Sequence, residues 1–261
     1  MKVGIITASL PLDTRAALRK AKELGAHGVQ LWVVNNDLDP RNLTQSGREE
    51  LIAFMASLGL ERSALCGDIG GFADPAKLDE RVTRTKEMFD LCVDLKTPIL
   101  TTHIGVLPES KPAYDAMLGA IRDVAEYAAA RDCCFATETG LESGEGLARF
   151  LSEVDSDGAR VNFDPANLCM NGYDHIQAVR DLAPWIVHTH AKDGVYRSAR
   201  EGGYKEVPLG KGDVNFPKYL EALRAVGYDG YLTIERECGE DPVADIVEAI
   251  RFLKQFEGVE P

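Results

Sequence analysis

Short β-rich apolar runs alternate with longer stretches whose apolar residues recur at helical spacing, from one end of the chain to the other. The runs are VGIITAS, GVQLWVV, RSALCGD, PILTTHIG, CCFATETG, RVNFDPA, WIVHTHA and YLTIERE. Between them, Ala17, Leu18, Ala21 and Leu24 make one helical stripe, and Leu78, Val82, Phe89 and Cys92 make another. Strands that alternate with helices favour a parallel sheet. Eight such units in 261 residues predict an α/β chain closed into one (β/α)8 barrel domain over residues 1–261, in preference to an open doubly wound sheet.

The punctuation agrees. Ser46-Gly47-Arg48-Glu49 reads as a capping box opening the second helix, and Gly59 closes that helix. Asp74-Pro75 and Asp241-Pro242 each offer a capping carboxylate followed by proline at the first helical position, where its missing N–H would have had no helical partner. Gly25-Ala26-His27-Gly28 and Gly227-Tyr228-Asp229-Gly230 repeat one device, in which a glycine ends a helix and a second opens the next strand. No low-complexity tract, charge block or linker divides the chain. The longest irregular stretch runs from about Gly194 to Val214, and loops of that length are usually functional or disordered.

Composition narrows the function classes. The formal net charge is −13, which argues against a nucleic-acid partner, because phosphate contacts need a basic face. No apolar run approaches the roughly 20 residues of a membrane span. The opening Met1-Lys2-Val3-Gly4-Ile5-Ile6-Thr7 reads as a strand with no small-residue cleavage site after it, so a cytoplasmic protein is expected. Cys66, Cys92, Cys133, Cys134, Cys169 and Cys238 show no CxxC or zinc-ribbon spacing. Most lie in apolar segments, which predicts buried free thiols in a reducing compartment.

The chemistry is concentrated in the second half. Glu138, Asp164, His190 and Glu235 each end one of the last four predicted strands, and a parallel barrel carries its active site at that end. Alternation along a strand puts Ala136 with Glu138, His188 with His190, and Thr233 with Glu235 on shared faces. Three carboxylates and an imidazole suit one divalent cation that prefers oxygen ligands. Each residue also has a plainer reading: Asp164 as a helix N-cap, Glu138 and Glu235 as solvated acids, His190 as a packed histidine. Together at successive strand ends, they would be costly to bury without a cation.

The chain resembles the xylose isomerase-like TIM barrel superfamily of sugar and sugar-phosphate isomerases and epimerases, along essentially its whole length. The similar segments are Glu138-Thr139-Gly140, Phe163-Asp164-Pro165-Ala166-Asn167-Leu168, His188-Thr189-His190-Ala191-Lys192-Asp193, Pro208-Leu209-Gly210-Lys211-Gly212-Asp213-Val214 and Ile234-Glu235-Arg236-Glu237. The resemblance implies that Glu138, Asp164, His190 and Glu235 hold one Mn2+, Mg2+, Co2+ or Zn2+ ion per chain. From the ketose 3-epimerases it further implies that Glu138 and Glu235 are the catalytic acid–base pair. It implies a small carbohydrate partner and is compatible with a homo-oligomer. A cation chelated by a carbonyl and its neighbouring hydroxyl stabilises an enediolate. Returning the proton to the same carbon gives epimerisation, to the next carbon isomerisation, and loss of a β hydroxyl gives dehydration. A dehydratase or lyase on a keto-sugar or cyclitol is therefore the rival reading, and a sugar-binding barrel without turnover is the non-enzymatic one.

The candidate substrate contacts are His103, Asn167, Lys192, Trp32, His188 and Glu237, with Arg197 and Arg200 as phosphate candidates in the long loop. Each has a structural alternative: packing for His103 and Trp32, helix capping for Asn167, solvation for Lys192 and the arginines. One superfamily branch cleaves DNA at abasic sites with a three-metal cluster that needs further histidines. Here the third strand offers Cys66 and Asp68, Asn167 stands where that branch has histidine, and Asp213-Val214-Asn215 replaces Asp-x-His. Gln30 also replaces the glutamate often found at its place in sugar-handling relatives, which leaves the substrate open.

Overall fold

All eight β-rich runs become strands of one sheet. A computed structural model describes residues 1–197 and 203–260. Its barrel strands are β1 (Lys2–Ile6), β2 (Gly28–Trp32), β3 (Glu61–Cys66), β4 (Ile99–Thr102), β5 (Cys134–Glu138), β6 (Ala159–Phe163), β7 (Ile186–Ala191) and β10 (Tyr231–Ile234). They close in the order β1-β10-β7-β6-β5-β4-β3-β2, and every neighbouring pair is parallel. Around them lie α1 (Thr14–Glu23), α2 (Gln45–Leu58), α3 (Leu78–Asp94), α4 (Lys111–Ala129), α5 (Gly144–Val154), α6 (Pro165–Met170), α7 (His175–Asp181), α8 (Phe216–Ala225) and α9 (Pro242–Leu253). The helical stripes face the sheet, with Ala17, Leu18 and Ala21 buried on α1 and Leu78, Phe89 and Cys92 on α3. Full burial of a side chain such as Leu18 or Phe89 is worth about 1.5–3 kcal/mol.

Asp241 caps α9 through Ala244 N–H, and Asp74 caps the 3-10 turn that leads into α3. Gly25 and Gly227 take positive φ (85° and 82°) where α1 and α8 turn back to the sheet. The cap of α2 differs from the expected one. Thr44, not Ser46, accepts the Gly47 N–H, so the helix begins two residues early and Ser46 lies inside its first turn. Gly59 closes it in the left-handed conformation, as the pattern predicted.

The stretch from Gly194 to Val214 also departs from expectation, because part of it is regular. β8 (Asp193–Val195) and β9 (Lys205–Val207) form an antiparallel hairpin. Asp193 organises the segment: its buried carboxylate accepts backbone N–H groups from Gly194, Gly210, Gly212 and Val214. Arg197 is exposed, and Arg200 lies outside the described residues. All six cysteines are free; Cys66, Cys92 and Cys169 are buried, but Cys238 is at the surface. Among the described residues, no helix is long and apolar enough to cross a membrane.

The barrel interior is less apolar than the aliphatic packing usual in such folds. Gln30, Ser63, Thr101, Asn162, His188 and Thr233 are all buried, and hydrogen bonds among them join strands from opposite sides of the barrel. The ladder slips one residue at Val29/Gln30 between β2 and β3, and at Val161/Asn162 between β6 and β7. Such irregularities re-aim side chains, and both fall beside residues that reach the site.

Candidate metal centre

The last four barrel strands deliver one acid or imidazole each to the C-terminal mouth. Glu138 ends β5, Asp164 follows β6, His190 lies near the end of β7, and Glu235 follows β10. One ligand atom from each lies within 4.8 Å of all the others. His190 Nδ1 is 3.1 Å from Glu235 Oε2 and 3.6 Å from both Glu138 Oε1 and Asp164 Oδ2. Glu138, Asp164 and His190 are buried, and Glu235 is half-buried.

Asp164 answers both of its sequence readings, with one oxygen for each. Its Oδ1 caps α6, accepting N–H groups from Ala166 (2.8 Å) and Asn167 (3.0 Å). Its Oδ2 is buried with no hydrogen-bond partner, and so is His190 Nδ1. Leaving a buried polar atom unpaired costs about 1–3 kcal/mol, and here two such atoms lie 3.6 Å apart. The donor set therefore fits a divalent cation by its chemistry and by the atoms it leaves unsatisfied.

Neighbouring groups hold the ligands in place. Glu138 Oε1 accepts from Asn167 Nδ2 at 2.9 Å, and Oε2 accepts from Asn162 Nδ2 at 3.1 Å. Thr139 ties the ends of β5 and β6 together, donating to Asp164 O and accepting from Asp164 N–H. Lys192 lies buried between Glu235 Oε2 (3.0 Å) and Glu237 Oε2 (2.8 Å). Burial opposes charge throughout, but the pairing wins. His190 is raised well above the usual histidine range by Glu235 and Glu138, and Lys192 is raised by Glu235 and Asp164. Glu138 is lowered by His103 and His190, and Glu235 is held far below the carboxylate range by His190 and Lys192. A cation at His190 Nδ1 would take the place of the proton these carboxylates favour.

The expected substrate contacts divide. His103 on the β4 side reaches Glu138 Oε1 at 3.4 Å, and the Glu138 carboxylate raises its pKa against burial. Asn167, Lys192 and, through Lys192, Glu237 also border the cluster. His188 lies elsewhere: it is buried inside the barrel, with Nδ1 on Asn162 Oδ1 (2.8 Å) and Nε2 on Thr233 (2.9 Å) and Ser63 (3.3 Å). Both nitrogens are occupied and burial holds the ring neutral, so its place is beneath the ligands, not against a substrate. Trp32 gives its indole N–H to Val34 O and packs, partly buried, against the core.

Three further groups escaped the pattern of strand ends. Asn162 and Gln30 are polar residues at inward positions of apolar strands, a signal present in RVNFD and GVQLW. Glu142, in the loop after β5, has one carboxylate oxygen buried without a partner. Burial pushes its carboxyl up to about 7, opposed only by His103. Nothing in its sequence neighbourhood marks it.

A closed parallel barrel with a carboxylate–imidazole cluster at its C-terminal mouth defines the structural class. Within that class, the chain belongs to the xylose isomerase-like TIM barrel family, whose sequence profile matches residues 18–256. An uncharacterized protein of Methanocaldococcus jannaschii is 24% identical over 70% of this chain and 66% of its own length. The inosose dehydratase of Geobacillus thermodenitrificans is 31% identical over 45% of this chain and 43% of its own. The L-ribulose-5-phosphate 3-epimerase UlaE of Shigella flexneri is 39% identical over 26% and 23%. The chain thus spans less than two thirds of the length of each of these relatives. Among solved structures, a xylose isomerase domain protein from Planctomyces limnophilus superposes with a TM-score of 0.86 at 28% identity, over 97% of this chain and 95% of that one. The IOLI protein, solved with a bound zinc atom, shares the fold (TM-score 0.79, 16% identity, 98% and 96% coverage).

Proposed function

We propose that this chain, acting as one barrel domain, is a divalent-metal-dependent sugar or sugar-phosphate isomerase or epimerase that moves a proton beside a carbonyl. The observation that carries this reading is the pair of unpartnered buried atoms, Asp164 Oδ2 and His190 Nδ1, inside a cluster with Glu138 and Glu235. The epimerase and dehydratase relatives support the same class of chemistry.

Glu138, Asp164, His190 and Glu235 would hold the cation, which when bound would supply Lewis acidity toward a substrate carbonyl and the charge left by deprotonation. Glu138, kept ionised by His103 and His190, is the base that takes the α proton. Asn162 and Asn167 fix both of its oxygens and so fix its aim. Glu235 approaches from the other flank of His190 and is the second carboxylate for proton return, with Lys192 at hydrogen-bond distance to resupply it. His103, Asn167, Lys192 and Glu237 border the space where sugar hydroxyls would be bound.

Glu142 favours a second reading, dehydration of a keto-sugar or cyclitol. A carboxyl raised by burial to about 7 keeps a share of its protons at neutral pH and can donate one to a leaving hydroxyl. The two readings separate in one experiment. The Mn2+-loaded protein is incubated in D2O with a panel of ketoses, keto-cyclitols and their phosphates, then stripped of metal for NMR. Deuterium at a carbon beside the carbonyl with substrate recovered intact marks an isomerase or epimerase. An unsaturated or deoxy product marks a dehydratase. No exchange and no product with any compound, metal being bound, would count against both.

A further inference from the structure

We infer that Gln30, oriented by Thr101, is a positioning residue that keeps a proton on His190 Nε2 and thereby leaves Nδ1 free for a cation. The inference rests on the metal-centre reading and extends it to residues on the opposite wall of the barrel.

A histidine ligates through the nitrogen that lacks a proton, and the partner of its other nitrogen decides which one that is. His190 Nε2 is 2.8 Å from Gln30 Oε1, and both side chains are fully buried. An amide can present either its oxygen or its NH2 to that nitrogen, with opposite consequences. Gln30 is held one way. Its Nε2 donates to Thr101 Oγ1 at 2.7 Å, and the Thr101 hydroxyl proton goes on to Leu65 O at 3.3 Å. With its proton committed to a backbone carbonyl, Thr101 accepts from the NH2 group, and the amide oxygen is left facing His190. Nε2 must then be the donor.

The reverse orientation would release Leu65 O and turn the Gln30 NH2 onto a bare Nε2. The neutral ring would then carry its proton on Nδ1, between the three carboxylates at 3.1–3.6 Å, and would have no lone pair for a cation. Asn162 makes the weaker contact with this nitrogen. Its Nδ2 gives one hydrogen to Glu138 Oε2, and its second would need a bare His190 Nε2 at 3.2 Å, against 2.8 Å for Gln30 Oε1. The irregular register between β2 and β3 falls at Gln30 itself, which fits a side chain re-aimed across the barrel.

The test reads the ring directly. Protein labelled with 15N-histidine is examined by long-range 1H–15N correlation, metal-free and with Zn2+, as wild type, Q30L, Q30E, T101V and T101S. In the wild type, Nε2 is expected to be protonated in both states, with Nδ1 alone responding to Zn2+. Q30L and T101V should admit the second tautomer and weaken Zn2+ by about 10–100-fold. Q30E and T101S, which keep an acceptor or a hydroxyl in place, should stay near the wild-type affinity. An unprotonated Nε2 in the wild type would overturn the inference, and so would a Q30L protein with unchanged tautomer and affinity. If the wild type binds no Zn2+, the metal reading fails by itself, and the metal-free ring spectra of wild type and Q30L, recorded at a pH high enough for the ring to be neutral, still decide the role of Gln30.

Discussion

The two halves of the barrel divide the labour. β5, β6, β7 and β10 end in Glu138, Asp164, His190 and Glu235, the four residues that converge. β2, β3 and β4 contribute no member of that cluster. They supply Gln30 and Ser63, whose hydrogen bonds cross the interior to His190 and His188, and Thr101, which accepts from the Gln30 amide. One half presents ligand atoms and the other sets how those atoms point. A convergent site therefore needs buried polar residues far from it in sequence, and their satisfaction is what makes them affordable inside a barrel.

The largest effect that would sharpen this contrast is at Glu138. E138Q keeps the shape and the Asn162 contact but removes the base, so proton exchange into an active substrate should fall by about 10²–10⁴-fold. His103→Gln, on the supporting half, should lower exchange much less, because it changes a neighbour of the base and not the base itself. Equal losses in the two variants, measured as deuterium incorporation rates, would erase the distinction between the halves.

A smaller effect lies in the loop after β5. The Glu142 carboxyl is raised in the fold, so the stability linked to it is complete below its ordinary range and is lost as pH rises through about 7. For metal-free protein, this should cost the wild type up to about 3 kcal/mol between pH 4.5 and pH 8, a cost that E142Q escapes. Urea unfolding of both proteins with chelator present, at pH 5 and pH 8, reads the difference. Parallel pH dependences would place Glu142 in ordinary solvent.

The sequence was most legible where a period carries the information. Eight apolar runs and two helical stripes specify the barrel, because burying one face of each element leaves few alternatives. The four ligand-type residues were visible because strand ends are countable. Alternation correctly paired Thr233 with Glu235, but it also put His188 among the substrate contacts. It reports the face on which a residue lies, not its depth, and His188 is one layer too low. Thr44, the actual cap of α2, is hidden on paper because Ser46, with Glu49 three residues on, fits the capping box and Thr44, with Gly47, does not. The hairpin of β8 and β9 depends on the Asp193 carboxylate gathering N–H groups from as far as Val214, and no local propensity encodes that. Gln30 stands out in the sequence as a departure from relatives, not as a partner of His190. Its contact with His190 spans 160 residues of sequence and a slipped register.

The most direct measurement is a Mn2+ titration of the metal-free protein, following the six-line EPR signal of free Mn2+, for wild type, D164N and H190A. One equivalent withheld from solution per wild-type chain, and none by either variant, is the predicted result. Asn at position 164 can still cap α6, so D164N separates loss of a ligand from loss of the helix. No withheld Mn2+ in the wild type, or one equivalent that survives both substitutions, would contradict a metal centre at Glu138, Asp164, His190 and Glu235.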